Sequence, residues 1–450
     1  MRLTEEQKQM LTDGQGTFDR GRRLAAVVVL LFPPALGSLY VWLFGVNVVY
    51  GDEWRFAILF DEPNLARLWV QLNEHRIFVP KVVILSLGSL TKWNTVVEMY
   101  VTQTLLLTTL FVLFVAFDGS IRSRWKSVLV APVAFLVFSL RQGATMLTGL
   151  LMQFVLVLTF AVLAFYFLRV LGRNTSRRLL FPAALVGATL ASLSSAQGLL
   201  VWPVGLVQLL VCQPGRRAKW ILVGAWSLLG AAEWLVYFLD YHIPAHTTTS
   251  PPTDLVVGPL YLLRFFLTAL GSSLSWWQEP AFAIGFLLLV LVAASIFLVI
   301  RQGRLAEYSF WTSLLLFSFL VLLAVTVGRA ERGIDQALVS RYTTYSILGV
   351  VGLYAMLAKL HFESKSHSTA ILFGTLLIVV MLTLPVTCAG GVKLGISTEA
   401  SREKAAAVLA TYESRPGSQL TSLNPNPQLV RKRAPILQKL DYNVFSESRP

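Results

Sequence analysis

Apolar runs of helix length recur along most of the chain, separated by short polar segments. The runs are continuous rather than alternating. They predict membrane-spanning α-helices and not the strands of a β-barrel. The first run, from about Leu24 to Val46, carries Pro33-Pro34 and should kink there. Further runs lie at Val96 to Phe117, Met146 to Val170, Trp220 to Leu239, Ala281 to Ile300, Glu307 to Val327, Thr343 to Leu360 and Thr369 to Val386. Shorter ones occupy Ser127 to Leu140, Leu179 to Leu193 and Gly198 to Cys212. A crossing needs about 20 residues, so the ends of these runs should extend into the polar connectors.

Two more apolar stretches, Ile77 to Leu90 and Leu255 to Leu270, are settled by parity. Basic residues cluster at Arg20, Arg22 and Arg23, at Arg122, Arg124 and Lys126, and at Arg173, Arg177 and Arg178. Other clusters are Arg216, Arg217 and Lys219, then Arg301 and Arg304, then Lys359, His361 and Lys365. If either stretch crossed, later clusters would land outside, against the positive-inside rule. Both therefore read as helices lying on or dipping into the outer face. The expected fold is all-α and polytopic, with eleven spans. Residues 1–23 form a cytoplasmic segment, and 24–387 the transmembrane domain, including an outer loop at 47–95. Residues 388–450 form a polar extracytoplasmic tail. Within it, Glu399 to Tyr412 reads as a short helix, and Asn424-Pro425-Asn426-Pro427 breaks helix. Val430 to Leu440 reads as another helix. The tail is too poor in apolar residues for a core of its own, so it should pack on the outer loops.

Composition agrees with this picture. The 450 residues are 55% hydrophobic and 14% charged, with mean hydropathy +0.64, where a soluble domain carries about a quarter charged residues. The formal net charge of +14 does not point to nucleic acid, because the basic residues sit in the loops between apolar runs. The first 23 residues are polar and predict no cleavable leader. Cys212 and Cys388 fall on opposite faces, so no intrachain disulfide is expected. No repeat recurs at a fixed period.

The unusual residues collect on the expected outer face. Asp52 and Glu53 follow the first span directly, beside Trp54 and Arg55. A carboxylate there can serve as general base or assist a metal at the mouth of a membrane cavity. The plainer alternative is an ion pair with Arg55. Glu74, His75 and Arg76 precede the Ile77 stretch. Glu74 and His75 together with Asp52 could bind a divalent cation, though so few residues form a weak ligand set. Arg141 ends one span, and Gln197 sits at a hairpin tip. Glu233 lies in the outer half of its span, where an acid is costly, with Arg264 as a candidate partner. Glu98 reads as interfacial. His242 and His246 flank Pro244 and share no helix face. The loop from Val327 to Tyr342 carries Arg329, Arg332 and Arg341 on the side where few cations are expected. Arginine suits bidentate phosphate recognition. The alternative is that Glu331 and Asp335 pair with Arg329 and Arg332 at helical spacing.

These features resemble the GT-C superfamily of membrane glycosyltransferases. The likeness rests on a cytoplasmic start to the first span and a long first outer loop opening on Asp52-Glu53. Many spans and a polar outer ending follow. The stretches Asn73-Glu74-His75-Arg76-Ile77, Ser195-Ala196-Gln197-Gly198-Leu199 to Pro203, Ser340-Arg341-Tyr342 and Leu440 to Phe445 also look like bacterial membrane proteins of that type. The resemblance implies Asp52, or Glu53, as catalytic base and a polyprenyl-phosphate sugar as donor. The acceptor would be a glycan, lipid or protein at the outer face of a bacterial inner membrane, in cell-envelope polysaccharide or glycoconjugate assembly. Substrate contacts would come from Glu74, His75, Arg76, Arg141, Gln197, Glu233, Arg329, Arg332 and Arg341. Trp54 stands where some members carry a second Asp, so a divalent cation is compatible with the pattern but not required by it. The rival class is a transporter or a flippase for lipid-linked glycans. A non-catalytic scaffold for an envelope polysaccharide complex is a third reading.

Overall fold

The structure, a computed structural model, describes residues 27–28, 30–121, 123, 126–173, 179–212, 216–242, 258–364 and 366–447. The N-terminal segment 1–23 and the clusters at Arg122 and Arg124 and at Arg177 and Arg178 lie outside them, as do His246, Leu255 and Lys365. Helices α1 (Leu30–Phe44), α2 (Phe78–Thr91), α3 (Thr95–Asp118), α4 (Ala131–Val137) and α5 (Met152–Arg173) come first. Helices α6 (Leu180–Ser192), α7 (Val201–Val211), α8 (Arg216–Phe238), α9 (Pro259–Gly271) and α10 (Gln278–Arg301) follow. The chain ends with α11 (Leu305–Arg329), α12 (Ser340–Ser364), α13 (His367–Ala410) and α14 (Pro427–Lys439). Among the described residues there is no strand, only an isolated antiparallel bridge between Leu72 and His75. Among the described residues seven helices, α3, α5, α8 and α10 to α13, are long and apolar enough to cross a membrane. The protein is a polytopic all-α membrane protein.

Helix α12 is buried on nearly every face from Ser340 to Leu360. It packs against α5, α9, α10, α11 and α13 and forms the axis of the bundle. Among its buried hydroxyls, Thr344 donates to Gln142 and Ser346 to the Leu270 carbonyl, as burial requires. Helix α8 is the opposite case. Trp220, Ile221, Leu228 and Leu235 are exposed on it, a face that suits lipid.

Two expectations need correction. The run Ser127 to Leu140 is not one helix. It divides into Lys126–Leu129, α4 and a 3-10 turn, Leu140–Gln142. Pro132 sits in the first turn of α4, where its missing N–H is harmless. Extended Ser139 ends α4 and accepts a hydrogen bond from the Arg141 N–H. The second correction concerns the chain end. Helix α13 does not stop near 388, and Glu399 to Ala410 is its last part rather than a separate helix. Pro385 lies inside it. Small residues beyond it let neighbours close in: a Cβ added at Gly391 would lie 2.3 Å from Leu140 Cβ. The helix continues past the position where the sequence turns polar, with that close fit in its middle.

The tail and the loop after α1 form a second hydrophobic core. Val49, Trp54, Leu59 and Ile84 pack there with Leu409, Leu420, Val430 and Leu437. The tail therefore packs on the loop, and it holds the loop's backbone. Gly51 N–H donates to Leu423 C=O at 2.9 Å, and Asn424 Nδ2 donates to Gly51 C=O at 2.6 Å. Gly51 has φ +59°, which glycine adopts without strain. Buried Asn443 ties three strands of chain together. Its N–H donates to Lys92 C=O, its Nδ2 to Asn47 Oδ1 and Trp93 C=O, and its Oδ1 accepts from Val49 N–H. Asn443→Ala strips partners from several buried groups and should cost about 2 kcal/mol or more. Thermal unfolding in detergent measures this, and an unchanged midpoint would remove Asn443 from that role.

Candidate active site

The loop between α1 and α2 delivers its polar residues to one place by local turns. A 3-10 turn, Gly51–Arg55, follows α1 and splits the acidic pair. Glu53 points inward and is 2% exposed. Its carboxylate accepts from Tyr50 N–H and from Leu150 N–H, each at 3.0 Å. Burial drives the Glu53 carboxyl upward, an effect partly offset by Arg402 and by those two N–H groups. Glu53 thus fastens the turn to the segment leading into α5 and does not reach the cavity described below. Asp52 points the other way, with its side chain 44% exposed. Asn73 Nδ2 donates to Asp52 Oδ2 at 3.0 Å, and Arg55 Nε lies 3.8 Å from Asp52 Oδ1.

Asn73 and Glu74 occupy a tight turn closed by mutual backbone bonds between Leu72 and His75, at 2.8 and 2.9 Å. Asn73 has φ +50°, which Asn tolerates better than most residues. The turn sends Asn73 to Asp52 and Glu74 to the arginines after α11. Arg329 binds Glu74 at 2.8 Å, and Arg332 stands 4.0 Å from it. Arg329 Nε also donates to the Tyr342 hydroxyl at 3.1 Å, and the Arg341 guanidinium lies 4.9 Å from the Tyr342 ring centre. Glu331 and Asp335 are not the partners of Arg329 shown here. Asp335 instead accepts from Gln278.

Asp52, Glu74, His75, Arg329, Arg332 and Arg341 line one cavity of about 540 Å³, with Arg55, Asn73, Gln153, Phe154 and Tyr342 among its other walls. The charges inside it are unequal. Two carboxylates, one already held by Arg329, face four arginines. Burial pushes the Glu74 carboxyl up, but the hydrogen bond and charge of Arg329, with His75 beside it, bring it below its ordinary value. For His75, burial lowers the imidazole to about 4, against the pull of Glu74 and helped by Arg329 and Arg341. The ring is therefore neutral at ordinary pH.

That shift has a sign that can be tested. Between about 6.5 and about 4 the unfolded chain binds the proton and the folded one does not. Stability should therefore fall as pH drops through that window and level off below it, by at most about 1.4 kcal/mol per pH unit. His75→Gln should remove this part of the slope. Thermal unfolding from pH 4 to 8 reads it, and equal slopes in both proteins would contradict the enclosure of His75.

Other expected site residues lie elsewhere. Arg76 is buried and donates to the backbone carbonyls of Tyr237, Trp69 and Leu239, fastening the loop to the end of α8. It lines a neighbouring cavity of about 520 Å³ that shares Arg55 and Asn73 with the first. Arg141 is buried against Trp276 and donates to Ser275 and Leu338 carbonyls. Gln197 accepts from the Ser195 hydroxyl at the α6–α7 corner. Glu233 accepts from Thr189 at 2.9 Å and lines an apolar groove between α6 and α8. Arg264 is not its partner, since Arg264 pairs with Glu279. Glu98 is buried rather than interfacial, and accepts from Trp93 Nε1 at 3.0 Å. Among the described residues no three of His, Cys, Asp and Glu come together as a metal-holding group. With Glu74 engaged by Arg329, Asp52 is the one cavity carboxylate left to offer a cation.

Sequence reasoning did not single out Gln153, and it placed Asn73 only in the stretch that carries the resemblance, with no role of its own. Their signals were a polar residue beside Glu74, and an amide near the start of an apolar helix.

No family model matches the chain. An uncharacterised curated protein of Archaeoglobus fulgidus is 26% identical over 206 residues, 42% of this chain and 52% of that protein. Two solved structures are similar at 11% identity. One is the archaeal oligosaccharyltransferase AglB from Archaeoglobus fulgidus in complex with an inhibitory peptide and a dolichol-phosphate. Its TM-score is 0.46, over 83% of this chain and 56% of that one. The other is an Archaeoglobus fulgidus oligosaccharyltransferase complex with Zn and sulfate, with TM-score 0.41, over 86% and 55%. The chain spans about half the length of these relatives. At that degree of likeness, the geometry of the site has to carry the functional reading.

Proposed function

We propose that this protein is a membrane glycosyltransferase of the GT-C type, with a polyprenyl-phosphate-linked sugar as donor. The acceptor is a glycan, a lipid or a protein at the extracytoplasmic face, in cell-envelope polysaccharide or glycoconjugate assembly. The observation that supports this is a single cavity holding one accessible carboxylate, Asp52, together with Arg329, Arg332 and Arg341. Arginines aimed into a cavity at a helix-bundle end suit a lipid phosphate. A carboxylate across from them suits an acceptor hydroxyl.

The chemistry follows from that arrangement. Asp52 takes the proton of the acceptor hydroxyl. The oxygen attacks the anomeric carbon and forms the new glycosidic bond. The bond from that carbon to the phosphate oxygen breaks, and the polyprenyl phosphate leaves with the electron pair. The attack is from the opposite face, so the anomeric centre inverts. One carboxylate suffices because phosphate leaves without strong acid assistance. Glycoside hydrolysis differs in requiring two. Asn73 and Arg55 hold Asp52 in place. Among the described residues no group of three such ligands gathers for a divalent cation, and Asp52 acts as a base without one.

The direct test is transfer by purified protein in vesicles containing polyprenyl-phosphate sugars, with lipid, glycan and peptide acceptors. Transport of the lipid-linked sugar across the vesicle without transfer would support the flippase reading instead. Sidedness is tested separately. With the N-terminus in the cytoplasm of a bacterial inner membrane and the tail outside, an impermeant thiol reagent should label Ser418→Cys in intact cells. Labelling only after permeabilisation would overturn that orientation.

A further inference from the structure

Gln153 near the start of α5 is 5% exposed and lines the cavity, yet its Oε1 has no hydrogen-bond partner. His75 lines the same cavity, and its Nδ1 is likewise enclosed without a partner. Phe154, next to Gln153 on α5, meets the His75 ring edge to face at 6.3 Å, so the start of α5 and the turn at His75 meet at this cavity. Buried polar groups are almost always hydrogen-bonded. Among the described residues no protein group supplies these two, and the cavity that both residues line is where a partner is sought. If the Gln153 amide is turned over, its nitrogen is the enclosed atom, and the same demand remains.

The chemistry of this wall differs from the rest of the cavity. Arg329, Arg332 and Arg341 are permanent cations, suited to phosphate. An amide and an uncharged imidazole are suited to hydroxyl groups, which donate and accept at once. Asp52 is joined to this wall through Asn73, which sits in the same turn as His75. The group lying between the base and the phosphate site in the proposed reaction is the transferred sugar.

We propose that Gln153, with His75 of the same cavity, reads the hydroxyl pattern of the transferred sugar, and that this sugar is neutral rather than acidic. The inference rests on the transferase reading and names the part of the donor that the wall recognises. Gln153 acts as a specificity-determining contact, not as a base. A site built to hydrogen-bond a hydroxyl discriminates strongly against an analogue lacking it, because its own polar groups are then left unpaired.

The test uses citronellyl phosphate carrying mannose, glucose, galactose or glucuronic acid, and the monodeoxy analogues of whichever neutral donor turns over. Gln153→Leu keeps the shape and removes the hydrogen bonds. It should raise KM for the parent donor about tenfold to a hundredfold, with kcat changed less. One monodeoxy donor should be used equally by wild type and variant, since the contact is then already absent. A penalty equal on every monodeoxy donor, or no penalty, overturns the inference, and so does preferred use of the glucuronic acid donor. Should Gln153→Leu fail to insert, Gln153→Asn withdraws the amide by one methylene and carries the same comparison. Turnover of no donor by the wild type sinks the transferase reading and this inference with it. Turnover with Gln153 indifferent to the hydroxyls sinks the inference alone.

Discussion

Asp52→Asn should insert and unfold like the wild type, yet transfer sugar at least about a hundredfold more slowly. The amide keeps the shape and can still meet Asn73 with its oxygen, but it cannot take a proton at neutral pH. Glu53→Gln is the informative contrast. Glu53 accepts two backbone N–H groups in a buried position, and one end of an amide cannot accept. The variant should therefore lower the unfolding midpoint, and its activity per folded molecule should fall far less than that of Asp52→Asn. Single-turnover rates on detergent-purified protein, normalised to the folded fraction, separate the two effects. Near-wild-type transfer by Asp52→Asn would place the base elsewhere and revive the transporter reading.

The second large effect concerns the arginines, and their geometry ranks them. Arg341→Ala and Arg332→Ala each remove a charge-assisted donor and should weaken donor binding by about 1.5–3 kcal/mol per bond lost. Arg329→Ala should cost more. It removes a cation and also leaves the Glu74 carboxylate, held at 2.8 Å in the wild type, facing the donor phosphate. Glu74→Gln in the Arg329→Ala background should recover part of that loss. The double-mutant cycle isolates the term, because the two side chains touch. Donor binding by all three single variants at wild-type strength would show that the phosphate is held elsewhere.

Much of this molecule is legible along the chain. Continuous apolar runs mark the membrane helices, because a bilayer demands roughly twenty apolar residues and satisfied backbone groups from any segment that crosses it. Arginines after an apolar run, where few are expected, drew attention to Arg329, Arg332 and Arg341. The structure brings all three to the cavity that Asp52 lines. Charge and hydropathy are properties of each residue in turn, so a sequence displays them directly.

What the sequence could not display is direction and partnership. Asp52 and Glu53 are neighbours of the same chemistry. Only the 3-10 turn, held at Gly51 by the tail's Leu423 and Asn424, sends one outward and the other into the core. Arg76, Arg141 and Arg329 look alike in a list of outer cations. Two of them spend most of their donors on backbone carbonyls more than a hundred residues away, and the third meets a carboxylate in the cavity. Helix α13 runs past Pro385 and into the polar tail, with close contacts at Gly391 in its middle, and those contacts join segments some 250 residues apart in sequence. By itself the sequence determined that this is a membrane helix bundle with its charged residues gathered in the connecting segments, since that follows from the cost of placing each residue in lipid. Which side chains face the cavity, and which hold the scaffold, was decided only by the tertiary structure, because a buried polar group goes where its partner is, and the partners are far off in sequence.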